Sequence, residues 1–106
     1  MRQKDVVRRA LIYMKRNYNH KLTLSEVAEH AYVSPWYLSK LLKQYAGRNF
    51  ADIRSRIRIE YAKKMLKEQE TPICVIAEKV GFQAPCHFSR TFKKIVGVSP
   101  DEYRKS

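Results

Sequence analysis

Two stretches of this chain are written on one template. Val27-Ala28-Glu29-His30-Ala31 returns as Ile76-Ala77-Glu78-Lys79-Val80 at an offset of 49. Tyr37-Leu38-Ser39-Lys40-Leu41-Leu42-Lys43 returns as His87-Phe88-Ser89-Arg90-Thr91-Phe92-Lys93 at an offset of 50, which Gly47 and Gly97 keep. The copies therefore differ by one residue, and it falls between the paired segments, where a turn absorbs it. Each copy reads as a short helix, a tight turn and a longer basic helix, the outline of a helix-turn-helix.

The helix boundaries are well signed. Val6, Val7, Ala10, Leu11 and Met14 form an apolar stripe at helical spacing, which predicts a first helix over about 5–18. Thr23-Leu24-Ser25-Glu26 is a capping box, in which hydroxyl and carboxylate satisfy each other's orphan amides, and its helix runs to about Ala31. Ser34-Pro35 reads as N-cap and first helical position of a third helix that stops before Gly47. Its apolar face is Leu38, Leu41, Leu42 and Tyr45; Trp36, Ser39, Lys40 and Lys43 lie opposite. A longer helix over about 50–68 follows Asn49. Phe50, Ile53, Ile57, Ala62, Met65 and Leu66 form its buried side, while Arg54, Arg56, Arg58, Lys63, Lys64 and Lys67 are mostly left to solvent or phosphate. Thr71-Pro72 opens a fifth helix ending at Gly81. A sixth begins near Ala84 or Pro85 and ends before Gly97, and Ser99-Pro100-Asp101-Glu102 caps a short seventh.

No stretch alternates with period two, so the expected class is all-α with seven helices: a first lobe over 1–49, a linker helix over 50–68 and a second lobe over 69–106. In each lobe the helix before the turn packs and the helix after it reads. Val27, Ala28 and Ala31 should lie beneath Leu38 and Leu42; Ile76, Ala77 and Val80 should lie beneath Phe88 and Phe92. Ala28 and Ala77 share a repeat position where steeply crossing helices need close approach. Tyr32 stands where the second repeat has Gly81. A left-handed backbone there costs Tyr about 1 kcal/mol more than Gly, a cost that burial of the ring would offset.

Composition then narrows the partner. A formal charge of +12, from 22 Lys and Arg against 10 acids, is spread along the chain and exceeds what a solvated surface needs. A polyanion is the expected partner. The two cysteines, Cys74 and Cys86, make no disulfide framework, and with His87 they lack a second ligand pair at zinc-like spacing. Reduced thiols in the cytoplasm, with no metal and no cofactor, are expected. Arg8, Arg9 and Lys15 interrupt the only N-terminal apolar stretch, so neither a secretory signal nor a membrane span is read. The spacing of His20, His30 and His87 suggests no acid-base pair, and they read as surface residues or phosphate neighbours; three glycines leave little scope for a phosphate-binding loop. Catalysis is not expected.

The strings Ile76-Ala77-Glu78-Lys79-Val80-Gly81-Phe82, Phe88-Ser89-Arg90-Thr91-Phe92-Lys93-Lys94 and Gly97-Val98-Ser99-Pro100-Asp101-Glu102-Tyr103-Arg104 resemble the DNA-binding domain of AraC/XylS-type transcription regulators. The match extends from about Val6 to Arg104. The first half, with Leu24-Ser25-Glu26-Val27-Ala28 and Ser34-Pro35-Trp36-Tyr37-Leu38-Ser39-Lys40-Leu41, is similar to the YesN-type branch. This resemblance implies double-stranded DNA as partner, RNA polymerase as a second partner of an activator, and a receiver or sensor domain missing from this chain.

Carried over by position, the family's base-reading residues fall on Trp36, Ser39 and Lys40 and on Pro85, Cys86, Ser89 and Arg90. Lys40 and Arg90 occupy equivalent repeat positions, and either can reach guanine O6 and N7; Arg fits better because its planar fork meets both acceptors. Trp36 suits a thymine methyl or a sugar, or else the edge of the core. Pro85 and Cys86 are shorter or less polar than the family's usual residues, which shifts second-site readout toward Arg90 and DNA shape. Ser34 and Gln83, at helix N-termini, and Tyr37, Lys43, His87 and Lys93 are the backbone-phosphate candidates. The linker helix, about 27 Å long at 1.5 Å per residue, is expected to act as a ruler between two reading helices. A non-specific nucleic-acid module is the rival; it would favour an exposed aromatic platform, whereas the aromatics here sit mostly at core spacing.

Overall fold

The computed structural model describes residues 2–106. Among these it holds seven α-helices and no strand: α1 Gln3–Arg16, α2 Leu24–His30, α3 Pro35–Ala46, α4 Phe50–Glu68, α5 Ile73–Lys79, α6 Pro85–Val96 and α7 Pro100–Lys105. The chain divides into two compact units, one running to Arg54 and one from Ser55 to Ser106, so α4 contributes to both.

In the first unit α1, α2 and α3 pack on one another. Val6, Val7, Ala10 and Met14 are buried together with Val27, Ala28, Leu38, Leu41 and Leu42, as the spacing predicts. Leu11 of the expected stripe is only half-buried, and Leu22, outside any periodic set, joins the core. Tyr45 departs from it: the ring is 39% exposed, at the rim of α3, because its hydroxyl turns outward to a polar partner. Thr23 Oγ1 accepts the Glu26 N–H at 3.1 Å, but the Glu26 carboxylate does not complete a reciprocal box. It accepts the Tyr13 hydroxyl at 2.7 Å and lies 3.2 Å from His20 Nε2. The Tyr13 bond holds the Glu26 carboxyl below its ordinary range; partial burial opposes this and His20 adds to it. The same bond raises the Tyr13 phenol, with burial and the charges of Glu26 and Glu29 acting in the same direction. Arg54 is not left to solvent or phosphate. It donates to the Leu22 carbonyl at 2.8 Å and fixes the loop before α2.

The second unit is built around aromatic rings. Phe82 meets Phe88 with centroids 5.3 Å apart, Phe88 meets Phe92 at 5.7 Å, and Phe92 meets Tyr103 at 5.6 Å. Ile57, Ile59, Ala62, Leu66, Ile76, Ala77 and Val80 complete this core. Ile59 is buried although it was not assigned to the buried side of α4, and Met65 is only half-buried. Arg58 also corrects the expectation: it is 8% exposed, with its guanidinium 5.7 Å from the Phe82 ring centroid. Its long stem packs as an apolar group while the charge rests on the ring face. Pro72 stands at the N-cap of α5 rather than inside it, and Thr71 Oγ1 donates to Gln69 instead of capping. Arg104 serves the end of α4, donating to the carbonyls of Leu66, Gln69 and Thr71, acceptors that the helix cannot satisfy itself.

Both helix pairs turn in the same way. Val33 N–H reaches Ala28 O and Tyr32 N–H reaches Glu29 O; Phe82 N–H reaches Ala77 O and Gly81 N–H reaches Glu78 O. This is the Schellman arrangement, which needs a left-handed residue after the helix. Gly81 supplies it at φ 100° and Tyr32 at φ 62°. The expected compensation by burial is absent. The Tyr32 ring is 79% exposed, and the Arg9 guanidinium rests 5.7 Å from its centroid.

Two predictions follow from this architecture. Tyr32→Gly should raise the unfolding free energy by up to about 1 kcal/mol, whereas Gly81→Ala should lower it by about 1–2 kcal/mol; urea midpoints of both variants check this. Glu26 has a folded-state pKa below its ordinary value of 4.5, so its contribution is present above that value and disappears as pH falls through the lowered one. Tyr13→Phe should therefore cost about 1 kcal/mol at pH 7, and the difference should shrink on acidification below that window, as read from paired unfolding curves.

Candidate nucleic-acid interface

Burial of one face of α3 decides what its other face presents. With Leu38, Leu41 and Leu42 inward, Trp36, Ser39, Lys40, Lys43 and Gln44 line a single shallow depression on the surface. Trp36 is 72% exposed, so it is not an edge-of-core aromatic. Lys40 Nζ lies 5.5 Å from the indole centroid, a contact worth about 0.5–1 kcal/mol in the open, which holds the ammonium against the ring. Ser34 Oγ accepts the Tyr37 N–H at 3.1 Å, and Tyr37 itself is half-buried, its hydroxyl accepting from Gln3 Nε2.

α6 repeats this plan with other residues. Phe88 and Phe92 are buried, which leaves Pro85, Cys86, His87, Arg90 and Lys93 exposed and Ser89 half-buried. Arg90 folds back along the helix, with Nε 3.5 Å from the Cys86 carbonyl oxygen and Nη2 3.9 Å from Cys86 Sγ. The two units thus lay a cation over the residue one turn earlier on the outward face, Lys40 on Trp36 and Arg90 on Cys86. Neither helix has an acid in its first turn. The positive end of each helix dipole therefore has no first-turn carboxylate to neutralise it. The caps differ: Ser34 covers an amide of α3, whereas Ala84 offers α6 no side-chain acceptor. Gln83 is exposed just before that start, and the His87 ring packs 5.5 Å from Phe82.

The structure thus brings Trp36, Ser39, Lys40 and Lys43 onto one face of the first unit, and Cys86, Ser89, Arg90 and Lys93 onto α6 of the second. Sequence reasoning passed over Gln44, although its position one turn beyond Lys40 placed it on the same face. It also passed over Gln3, whose contacts with α3 are tertiary and leave no signal in local spacing. Cys74 and Cys86 are free and exposed. Among the described residues no group of three His, Cys, Asp or Glu side chains is placed to hold a metal, and no helix is long and apolar enough to cross a membrane.

Comparison with known proteins accounts for this paired arrangement. A family described as "Helix-turn-helix domain" matches residues 27–106. The chain is 37% identical to the multiple antibiotic resistance protein MarA of Salmonella typhimurium, over 89% of this chain and 74% of that protein. It is 38% identical to the transcriptional regulatory protein YesN of Bacillus subtilis, over 82% of this chain and 24% of that protein. Among solved structures, the C-terminal domain of AraT, a response regulator from Geobacillus stearothermophilus, superposes with a TM-score of 0.90 at 43% identity, covering 99% of this chain and 88% of that one. Other curated relatives are longer, and the chain spans about a third of their length, 32% and 33% in two cases. A repeated helix pair with outward basic faces, on a chain with these relatives, belongs to the AraC-type helix-turn-helix family of transcription-regulator DNA-binding domains.

Proposed function

We propose that this domain binds double-stranded DNA at specific sequences through α3 and α6, each read as one element of a bipartite site. The observation that supports this most directly is the matched pair of outward faces, in which a cation, a serine and a helix-start residue recur at the same repeat positions while the core residues between them are buried. Trp36, Ser39 and Lys40 are the base-reading residues of the first element, and Pro85, Cys86, Ser89 and Arg90 those of the second. Arg90 reads a guanine edge by swinging its fork off Cys86, whose weak sulfur contact costs little to release. Ser34, Tyr37, Lys43, Gln83, His87 and Lys93 hold the backbone and set register without carrying sequence information. The regulators among the longer relatives and the response-regulator neighbour are in keeping with a whole protein that is a regulator with a receiver or sensor domain. From the family resemblance alone, we further propose that it is cytoplasmic and acts as an activator through RNA polymerase.

Selection of bound duplexes from a random pool, followed by anisotropy titrations, tests this reading. If about 6–10 phosphates are neutralised, affinity should fall roughly 10³–10⁵-fold between 50 and 200 mM salt. Lys40→Ala and Arg90→Ala should each cost about 1–3 kcal/mol on the selected site and relax preference at one or two base pairs. Lys43→Ala and Lys93→Ala should instead weaken all duplexes alike. Equal binding of selected and random duplexes would make the chain a non-specific module. If α3 and α6 each read one element, inserting 5 base pairs between the elements, about half a turn, should remove the contribution of one of them.

A further inference from the structure

Gln3 opens α1, and its amide joins two tyrosines of α3. Tyr45 Oη donates to Gln3 Oε1 at 2.7 Å, and Gln3 Nε2 donates to Tyr37 Oη at 3.2 Å. The lengths favour this direction for the hydrogen-bond chain. O–H···O bonds cluster near 2.7–2.8 Å and rarely exceed about 3.0 Å, whereas N–H···O bonds extend to about 3.2 Å. A reversed amide would put the longer separation on an O–H···O bond and the shorter on an N–H···O bond, against both preferences. A phenol has one proton to give and two sites that accept. Tyr45 gives its proton to Gln3. Tyr37 receives one and keeps its own.

We propose that Gln3, locked by Tyr45, is a positioning residue that turns the Tyr37 hydroxyl proton outward for donation to a DNA backbone phosphate. The inference rests on the reading of Tyr37 as a backbone contact. A phosphate oxygen only accepts, so a phenol that spent its proton on Gln3 would present lone pairs to an anion and repel it. With Gln3 donating, each hydroxyl and amide in the chain polarises the next and the terminal O–H becomes a better donor. Tyr37 lies in the first turn of α3, where its backbone N–H is already taken by Ser34 Oγ, so the side chain is what it has left to offer. At the equivalent place in the second unit His87 packs its ring on Phe82 instead. The device therefore belongs to the first unit, and Gln3 acts on DNA it does not touch.

The test uses the whole chain and a selected duplex, with anisotropy as readout and urea midpoints to confirm that each variant is folded. Tyr37→Phe should weaken binding roughly 2- to 10-fold on every duplex, the loss of one hydrogen bond. Gln3→Glu keeps the shape but can only accept, so Tyr37 must turn its proton inward; the loss should equal or exceed that of Tyr37→Phe. Gln3→Met breaks the chain without adding charge and should lose part of the same factor, as should Tyr45→Phe. In the Tyr37→Phe background, Gln3→Met should have no further effect, and Gln3→Glu should keep only the residue of its charge, less than about 2-fold at 150 mM salt. Additive losses in that background would overturn the proposal, because Gln3 would then act by another route. Unchanged affinity of Gln3→Glu and Gln3→Met beside a weakened Tyr37→Phe would also overturn it, while leaving Tyr37 as a phosphate contact. An unaffected Tyr37→Phe would remove both the contact and the device, without touching the base-reading assignments of Lys40 and Arg90.

Discussion

Val33 N–H on the Ala28 carbonyl and Phe82 N–H on the Ala77 carbonyl are the bonds that reverse the chain at the end of each packing helix. Each closes only if the residue before the donor is left-handed, which is why Gly81 and the strained Tyr32 stand there. Once the turn is made, the next helix must cross its predecessor at close range, and the side chain at the crossing has to be small. Ala28 and Ala77 are the residues found, both fully enclosed. Crossing in turn chooses which side of α3 and α6 is buried, and so which residues are left to face a ligand. The outward faces are a remainder of this packing and need no separate device to orient them.

The formal charge of +12 is not all at the disposal of a polyanion. Arg54 is tied to the Leu22 carbonyl, Arg58 lies over Phe82 inside the second core, and Arg104 gathers one carbonyl in the last turn of α4 and two just beyond it. These guanidiniums still contribute to the long-range field, but each is held against a partner within its own unit. On the proposed reading, direct contacts come from the exposed cations of α3 and α6 and from other side chains at the surface. Planarity explains why the structural positions hold Arg rather than Lys, since one guanidinium can satisfy several carbonyls or rest flat on a ring.

The repeat, the glycine and proline punctuation and the apolar spacing made the helix order legible, because each is a local rule with a local signature. The same spacing placed Trp36, Ser39, Lys40 and Lys43 on one face of α3. What was not legible depends on partners distant in sequence. Arg58 reads as a solvent-facing residue until Phe82 is known to lie beneath it. Glu26 reads as a capping-box carboxylate until the Tyr13 hydroxyl is found donating to it. Tyr45 falls at an apolar position of α3, yet a glutamine 42 residues earlier draws its hydroxyl to the surface. In each case a tertiary polar contact outweighed a correct local expectation.

The unequal starts of α3 and α6 carry a thermodynamic consequence. Ser34 holds a first-turn amide of α3 within the protein, whereas the first turn of α6, following Ala84, leaves its amides to water. A side-chain cap is worth about 1 kcal/mol, so the opening of α6 should fray more readily than that of α3, and an acceptor arriving there would order it further. Order acquired at the moment of contact is subtracted from binding as entropy. If α3 and α6 each read one element, as proposed, the two elements would then differ in calorimetric character even at equal affinity. The half read by α3 would depend little on ordering, and the half read by α6 would show a more favourable enthalpy offset by a larger entropic loss.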